Sequence, residues 1–345
     1  MARSSRSLAK SIGIVILGIV MVGAISADFA ESADTYPEKP INAYVGYPAG
    51  GGTDTIARTL APILEENLGQ PLVIVNLPGA HSAQAGTQVQ LAKKDGYTVF
   101  FATEGMAVWQ VTGITKKLSY KDFDPIALMG VGPATLAVNA KTPWNTIEEL
   151  FEDARKRPGE ITAGTAGPFT TSHVCLLLLK HALGLKFHMI PYVGGSAAVL
   201  AAVKGEVKVL PEMTTQMYEM YKAGKLRFLA QFTKESMVGL ERIPTLADKY
   251  PKLTPYLPYG PYFGLFVVKG TPEKVKFRLI EAMGLALKDP RWTKFADNRL
   301  IARLNLVGGL AEQWIDTWIS NVAWILYDMG EIKQSPEKFD IPRPK

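Results

Sequence analysis

Ile41-Asn42-Ala43-Tyr44-Val45, Tyr47-Pro48-Ala49-Gly50-Gly51-Gly52-Thr53-Asp54 and the run from Asp54 to Leu68 read as strand, glycine-rich turn and helix. Residues 41–45 alternate as a half-buried strand does. Ile56, Leu60, Ile63, Leu64 and Leu68 recur at helical spacing and predict a helix over about 54–68. Pro62 lies inside it, where a kink is expected, and Gly69 is a natural stop. Strand, turn and helix in immediate succession are the unit of an α/β fold.

The same alternation continues outward. Leu72–Val75 and Tyr97–Phe101 read as strands, the second after the turn Asp95-Gly96. Leu136–Val138 reads as a strand leaving the first lobe. Thr146 followed by Glu149 makes a capping box for a helix reaching Lys156. Strands are expected near Ile161–Ala163, His188–Ile190, Val207–Leu210 and Arg227–Gln231, with helices at about 171–183 and 195–204. Tyr262–Val268 is a long apolar strand placed to return to the first lobe. Thr271-Pro272 opens a helix, and a last helix over roughly 310–329 carries Trp314, Trp318, Val322 and Ile325 on one stripe, expected to be core. The polar, Pro-containing segment from Lys333 to Lys345 reads as a surface extension. The fold class expected is α/β with largely parallel sheets and two lobes: residues 36–137 and 264–345 in lobe one, 138–263 in lobe two. Two crossings at one place make a hinge, and the cleft beside it is the natural ligand site.

Length and composition fit this. The 345 residues suffice for two lobes, each with its own core. Apolar residues make up 47% and charged residues 20%, which excludes a disordered chain. Of the net charge of +6, three positives come from Arg3, Arg6 and Lys10, so a basic nucleic-acid protein is not indicated. Those cations, the apolar run Ile12–Ile25 and Ala24-Ile25-Ser26 predict an export signal over 1–26, cleaved before Ala27. The run is short of the ~20 apolar residues that span a bilayer. The chain is therefore expected in the periplasm. Its single cysteine, Cys175, precedes four leucines and is expected to be a buried, inert thiol; one cysteine excludes an internal disulfide.

Three turns between a strand and a helix can carry function. At 47–54, Gly50, Gly51 and Gly52 leave backbone N–H groups open to an anion, reinforced by the helix N-terminus behind them. At 164–173, Thr165, Thr170, Thr171 and Ser172 offer hydroxyls and amides from the other lobe. At 191–196, Tyr192, Gly194, Gly195 and Ser196 do the same. Each also fits an ordinary tight turn or cap. A dinucleotide fingerprint fits poorly, because Thr55 stands where the third glycine belongs and Asn76 where a ribose-binding acid belongs. No Gly-Lys-Ser/Thr phosphate loop exists. Gly194-Gly195-Ser196-Ala197-Ala198 lacks the second glycine of a nucleophile elbow. His173 and His181 are out of line for a metal pair, and His188 is expected in the core. His81, in the turn Pro78-Gly79-Ala80-His81-Ser82, stands either at the cleft mouth or on a surface loop. No metal and no cofactor is expected.

The chain resembles the receptors of tripartite tricarboxylate transporters, the Bug family. The resemblance rests on Tyr36-Pro37-Glu38-Lys39-Pro40-Ile41, on residues 47–54 with Ala57-Arg58, and on Leu68-Gly69-Gln70-Pro71. Further matches are Asn76-Leu77-Pro78-Gly79-Ala80, Asp95-Gly96-Tyr97-Thr98, Arg157-Pro158-Gly159, Pro191-Tyr192-Val193-Gly194-Gly195, Gly224-Lys225-Leu226-Arg227, Ile243-Pro244-Thr245 and Gly270-Thr271-Pro272. It implies a type II periplasmic-binding-protein fold that closes over a small carboxylate, aromatic or with two or three carboxyl groups. It implies delivery to a membrane permease of one large and one small subunit, by a protein that is not an enzyme; separately, the chain is expected to be a monomer. A ligand sensor feeding a signalling kinase and a serine hydrolase remain as alternatives. The site residues carried over are Tyr47, Ala49, Gly50, Asp54, Thr165, Thr171 and Ser172. Gly51, His81, Ser82, Thr103, Thr170, Tyr192, Gly195 and Tyr262 complete the expected ligand-binding set. Departures from the family pattern are Tyr47 for Phe, His81 for Gly, Lys208 for Asp and Tyr262 for Trp. Tyr47, Phe169, Tyr192 and Tyr262 would suit an aromatic acid or equally pack in the core.

Overall fold

The computed structural model describes residues 36–344. The expected export signal lies outside them. The described strands are β1 (Ile41–Val45), β2 (Leu72–Asn76), β3 (Thr98–Ala102), β4 (Phe123–Val131), β5 (Ala134–Asn139), β6 (Thr162–Thr165), β7 (His188–Pro191), β8 (Val209–Met213), β9 (Leu226–Gln231), β10 (Tyr262–Val268) and β11 (Ala302–Val307). They form two sheets, ordered β11-β4-β10-β3-β1-β2 and β7-β6-β8-β5-β9.

The helix after the first turn runs Gly52–Leu68, beginning two residues earlier than its apolar spacing predicts. Ile56, Leu60, Ile63 and Leu64 are at most 1% exposed and pack over the first sheet. Each contributes about 2 kcal/mol when removed from water. Gly69 closes the helix in the left-handed region, φ +76°, its N–H bonded to Glu65 O at 2.8 Å. Thr146 and Glu149 form the expected reciprocal cap of the helix Ile147–Lys156.

The sheets are mixed rather than largely parallel. β1 runs parallel to β2 and β3, and β6 parallel to β7 and β8. β10 is antiparallel to β3 and β4, β11 antiparallel to β4, and β5 antiparallel to β8 and β9. The reversed strands are β10 and β11 in the first sheet and β5 in the second, and of these β5 and β10 are the ones that follow the crossings. β5, read from the sequence as the last strand of lobe one, pairs wholly within the second sheet, with Thr135 opposite Glu212. The first crossing is therefore Gly132-Pro133 and the second Gly260-Pro261. They are tied together: Gly132 N donates to Pro261 O at 2.8 Å and Ala134 N to Tyr259 O at 2.9 Å.

The helix Gly309–Asp328 lies over these crossings and also packs against the helix Thr171–Leu183 of the second lobe. Trp318 stacks on Tyr259 at 5.7 Å between ring centroids and meets Tyr262 edge-on at 5.3 Å. Trp318, Val322 and Ile325 are buried as the stripe predicts, while Trp314 is half-buried. Residues 333–344 are not a loose extension. Ile341 is buried, its carbonyl accepts from Trp324 Nε1 at 3.2 Å, and Arg343 pairs with Asp328 at 2.7 Å.

Tyr262 is fully buried between Trp314 and Trp318, and its hydroxyl has no hydrogen-bond partner. It belongs to the packing around the crossings and does not line the cleft. An unpaired buried hydroxyl costs about 1–3 kcal/mol. Tyr262→Phe is expected to raise stability by about 1 kcal/mol in urea unfolding and to leave ligand affinity unchanged; a Tyr262 that touched ligand would lose affinity instead.

Candidate functional site

Parallel strands direct their carboxyl ends to one edge, where ligands of open α/β sheets bind. β1 ends at the turn beginning Gly46, β3 at Thr103, β6 at Ala166, β7 at Tyr192, and β8 at Met213. All five feed one cleft of about 340 Å³ between the sheets. Tyr47, Gly51, His81, Thr103, Thr170, Thr171 and Gly195, from the expected set, line it. Ala49, Gly50, Asp54, Ser82, Thr165, Ser172, Tyr192 and Tyr262 do not.

The reason lies in the hydrogen bonds. Asp54, 2% exposed, accepts from Gly50 N at 2.8 Å, from Arg58 Nε at 3.0 Å and from Asn76 Nδ2 at 2.9 Å. Asn76 Nδ2 also donates to Tyr47 O at 3.0 Å. Burial alone would raise the Asp54 pKa, but the bonds from Arg58, Gly50 and Asn76 outweigh it and hold the carboxyl below its ordinary value. Asp54 is thus the anion around which the turn is wound, and it consumes the Gly50 amide. Gly51 N is spent on Pro48 O at 3.1 Å. The amides left for a ligand are one step further on, at Gly52 and Thr53, because the first intrahelical bond is Thr55 N to Gly51 O.

The second lobe repeats this division of labour. Ser172, fully buried, accepts from Ala166 N at 2.7 Å, and Thr170 Oγ1 donates to Gly167 O at 2.7 Å. These two hydroxyls shape the loop. Thr171 heads the helix, lines the cleft and has an N–H without an intrahelical partner. His173 Nδ1 accepts from Phe169 N at 3.1 Å and is not paired with Ser172. Thr165 is buried, its carbonyl taken by Tyr192 N at 2.8 Å. Gly195 begins the third helix, Gly195–Lys204, so three helix N-termini from two lobes face one cavity.

His81 is exposed at the cleft mouth, where its carbonyl accepts from Trp109 Nε1 at 2.8 Å. Ala80, His81 and Ser82 all sit at positive φ, 48°, 50° and 68°, a run of strained backbone beside the cleft. Tyr47 OH and Thr103 Oγ1 hydrogen-bond each other in the wall, and burial pushes the phenol well above its ordinary pKa.

The sequence reading missed Glu104, Glu212, Gln216, Met213 and Phe263, all of which line the cleft. The signal for the acids was available: Glu104 stands two residues after an apolar strand, and Glu212 is a lone charge in Val-Leu-Pro-Glu-Met. Lys208 lies away from the cleft, its Nζ donating to Gly205 O at 3.0 Å. His188 is exposed rather than core, because β7 is an edge strand with only β6 as neighbour. Cys175 is fully buried and its thiol pushed well up by that burial. Among the described residues no group of three potential metal ligands occurs.

Comparison with known proteins agrees with this architecture. Residues 56–307 match the family described as the tripartite tricarboxylate transporter family receptor, TctC. Protein BugT of Bordetella pertussis is 30% identical over 267 residues, 76% of this chain and 80% of that protein. The crystal structure of a TctC solute binding protein from Polaromonas superposes with a TM-score of 0.74 at 29% identity, covering 86% of this chain and all of that one. MatC from Rhodopseudomonas palustris, solved with bound malate, gives 0.68 at 25% identity, covering 84% of this chain and all of that one. A two-lobed fold, a cleft fed by strand ends, and a match over most of the chain lead to one statement: this chain belongs to the tripartite tricarboxylate transporter receptor family, a family of periplasmic solute-binding proteins.

Proposed function

We propose that this chain is an exported periplasmic receptor that captures a small carboxylate, closes over it and delivers it to a membrane permease of one large and one small subunit. It acts as a monomer and catalyses no reaction. The observation that carries the reading is the convergence of unbonded helix N-terminal amides, at Gly52, Thr53, Thr171 and Gly195, on a single cleft whose lining holds no Lys or Arg. Backbone N–H groups at helix N-termini are preorganised donors for carboxylates. The Thr103 and Thr171 side chains supplement them. Val108, Phe169, Met213 and Phe263 suit a hydrocarbon or aromatic body between the polar ends. MatC, with its bound malate, supports a carboxylate of this size.

The test is isothermal titration of ligand-stripped protein against mono-, di- and tricarboxylates, with mass spectrometry of small molecules released from the purified chain. Saturable one-to-one heat with at least one carboxylate is expected. No heat with any of them, or covalent labelling by a serine-directed probe, would overturn the reading.

A further inference from the structure

Two acids face the cleft, one from each lobe. Glu104 follows β3, and Glu212 lies in β8 and is only 3% exposed. The Oε2 atom of each is buried without a hydrogen-bond partner, while Glu212 Oε1 accepts from Met213 N at 2.8 Å. Among the described residues no ionised side chain lining the cleft supplies positive charge, and the helix N-termini at Gly52, Thr171 and Gly195 offer only the partial charge of their dipoles. The cleft lining contains neither Lys nor Arg. Tyr47, Tyr259, Tyr262 and Cys175, the titratable groups that interact with these acids, are all kept neutral by burial. His81, at the cleft mouth, is pushed down toward its neutral form by partial desolvation of its ring, and the charge of Asp316 acts on Tyr262 in the same sense as that of Glu104.

Buried ions without a partner neutralise themselves. Desolvation pushes the Glu104 carboxyl up to about 7 against hydrogen bonding from Thr103 and its own backbone, the negative charge of Glu212 adding to the rise, and desolvation raises Glu212 against hydrogen bonding from Met213 N and Ser172. An incoming carboxylate would bring a further negative charge into the same desolvated space. A protonated carboxyl, by contrast, is a donor able to give a short O–H···O⁻ bond to that ligand.

We propose that Glu104 and Glu212 are specificity-determining residues that take up a proton from solvent as the cleft accepts a carboxylate, so that ligand and proton bind together. The inference rests on the carboxylate reading above. The proton is held between the lobes, donates to a ligand oxygen and returns to water on release; no other bond changes.

The experiment titrates the full ligand-stripped chain with malate, citrate and benzoate in phosphate and in Tris, whose ionisation enthalpies differ, from pH 5.5 to 8.5. The dependence of observed heat on buffer gives the protons taken up. Uptake of about one proton per bound carboxylate is expected near pH 8, falling toward zero at pH 5.5, with affinity weakening by up to roughly tenfold per pH unit above neutrality. Glu104→Gln and Glu212→Gln keep an N–H donor without a titratable proton, and at least one should lower the uptake by half or more. Binding without proton uptake would overturn this inference alone. So would uptake unchanged in both variants, which would place the proton on His81 or the ligand. No binding by any probe would overturn the carboxylate reading along with it.

Discussion

Gly260→Ala is expected to destabilise the chain by about 4 kcal/mol, the sum of backbone strain and a forced contact at the crossing of the two lobes. Gly260 sits at φ +155°, a conformation open in practice to glycine alone. A Cβ there would stand 2.1 Å from Gly132 O and 3.0 Å from Pro133 Cα. Both neighbours are backbone of the other crossing strand, so neither can swing aside as a side chain would. Yielding would break the bonds Gly132 N to Pro261 O and Ala134 N to Tyr259 O that hold the crossings side by side. Urea unfolding measures the loss. If the variant still folds, small-angle scattering with and without ligand should show an altered closure. Wild-type stability and closure in this variant would mean the crossings are not the hinge.

Asp54→Ala should be nearly as costly and should also abolish ligand binding. The carboxylate is the common acceptor for Gly50 N, Arg58 Nε and Asn76 Nδ2. Losing a buried, charge-assisted acceptor of this kind costs about 3 kcal/mol. Without it the turn has no internal anion, and the amides of Gly52 and Thr53 lose the geometry that aims them into the cleft. Titration calorimetry should show no saturable carboxylate binding by a chain that circular dichroism shows to be folded. The same residue sets an acid limit. Its folded pKa lies below the ordinary carboxylate value, so its stabilisation is complete above about pH 4 and is lost as pH falls through the folded pKa. Glu104 acts with the opposite sign. Its folded pKa of about 7 lies above the ordinary value of 4.5, so ligand-free stability should decline as pH rises between them. Thermal melts from pH 3 to 8 would show both slopes, the first absent in Asp54→Ala and the second reduced in Glu104→Gln.

What could be read from the sequence was whatever is encoded locally. The helices Thr171–Leu183 and Gly195–Lys204 fall where periodicity places them, and the capping box at Thr146 and the stop at Gly69 are written in two or three residues each. β4 and β11 have weak local signals, because Asp124-Pro125 interrupts the start of β4 and β11 is a half-exposed edge strand with irregular register against β4. The helix Pro290–Asn298 was passed over, although Asp289 caps it and Pro290 opens it. The strand order, and with it the mixed sheets, depends on pairings across long sequence separation that no local pattern carries.

The site was legible as three turns but not residue by residue. Glycine and hydroxyl chemistry marked where amides could face a ligand. Which of them do so depends on which are already bonded within the turn. Asp54 and Ser172, the most ligand-like side chains by type, are the ones spent on holding their own loops. Tyr262, as an aromatic, suits either a wall of the cleft or the core, and its side chain falls on the face covered by Trp314 and Trp318. Glu104 and Glu212 lie outside the three glycine- and hydroxyl-rich turns; their significance emerges only from burial without partners.

The most direct measurement is a crystal structure of the chain with the carboxylate that calorimetry selects. The ligand's carboxylate oxygens should lie about 2.9 Å from the main-chain nitrogens of Gly52 or Thr53 on one side and of Thr171 or Gly195 on the other. A carboxylate held by side-chain cations instead, or lodged outside this cleft while those nitrogens face water, would contradict the account.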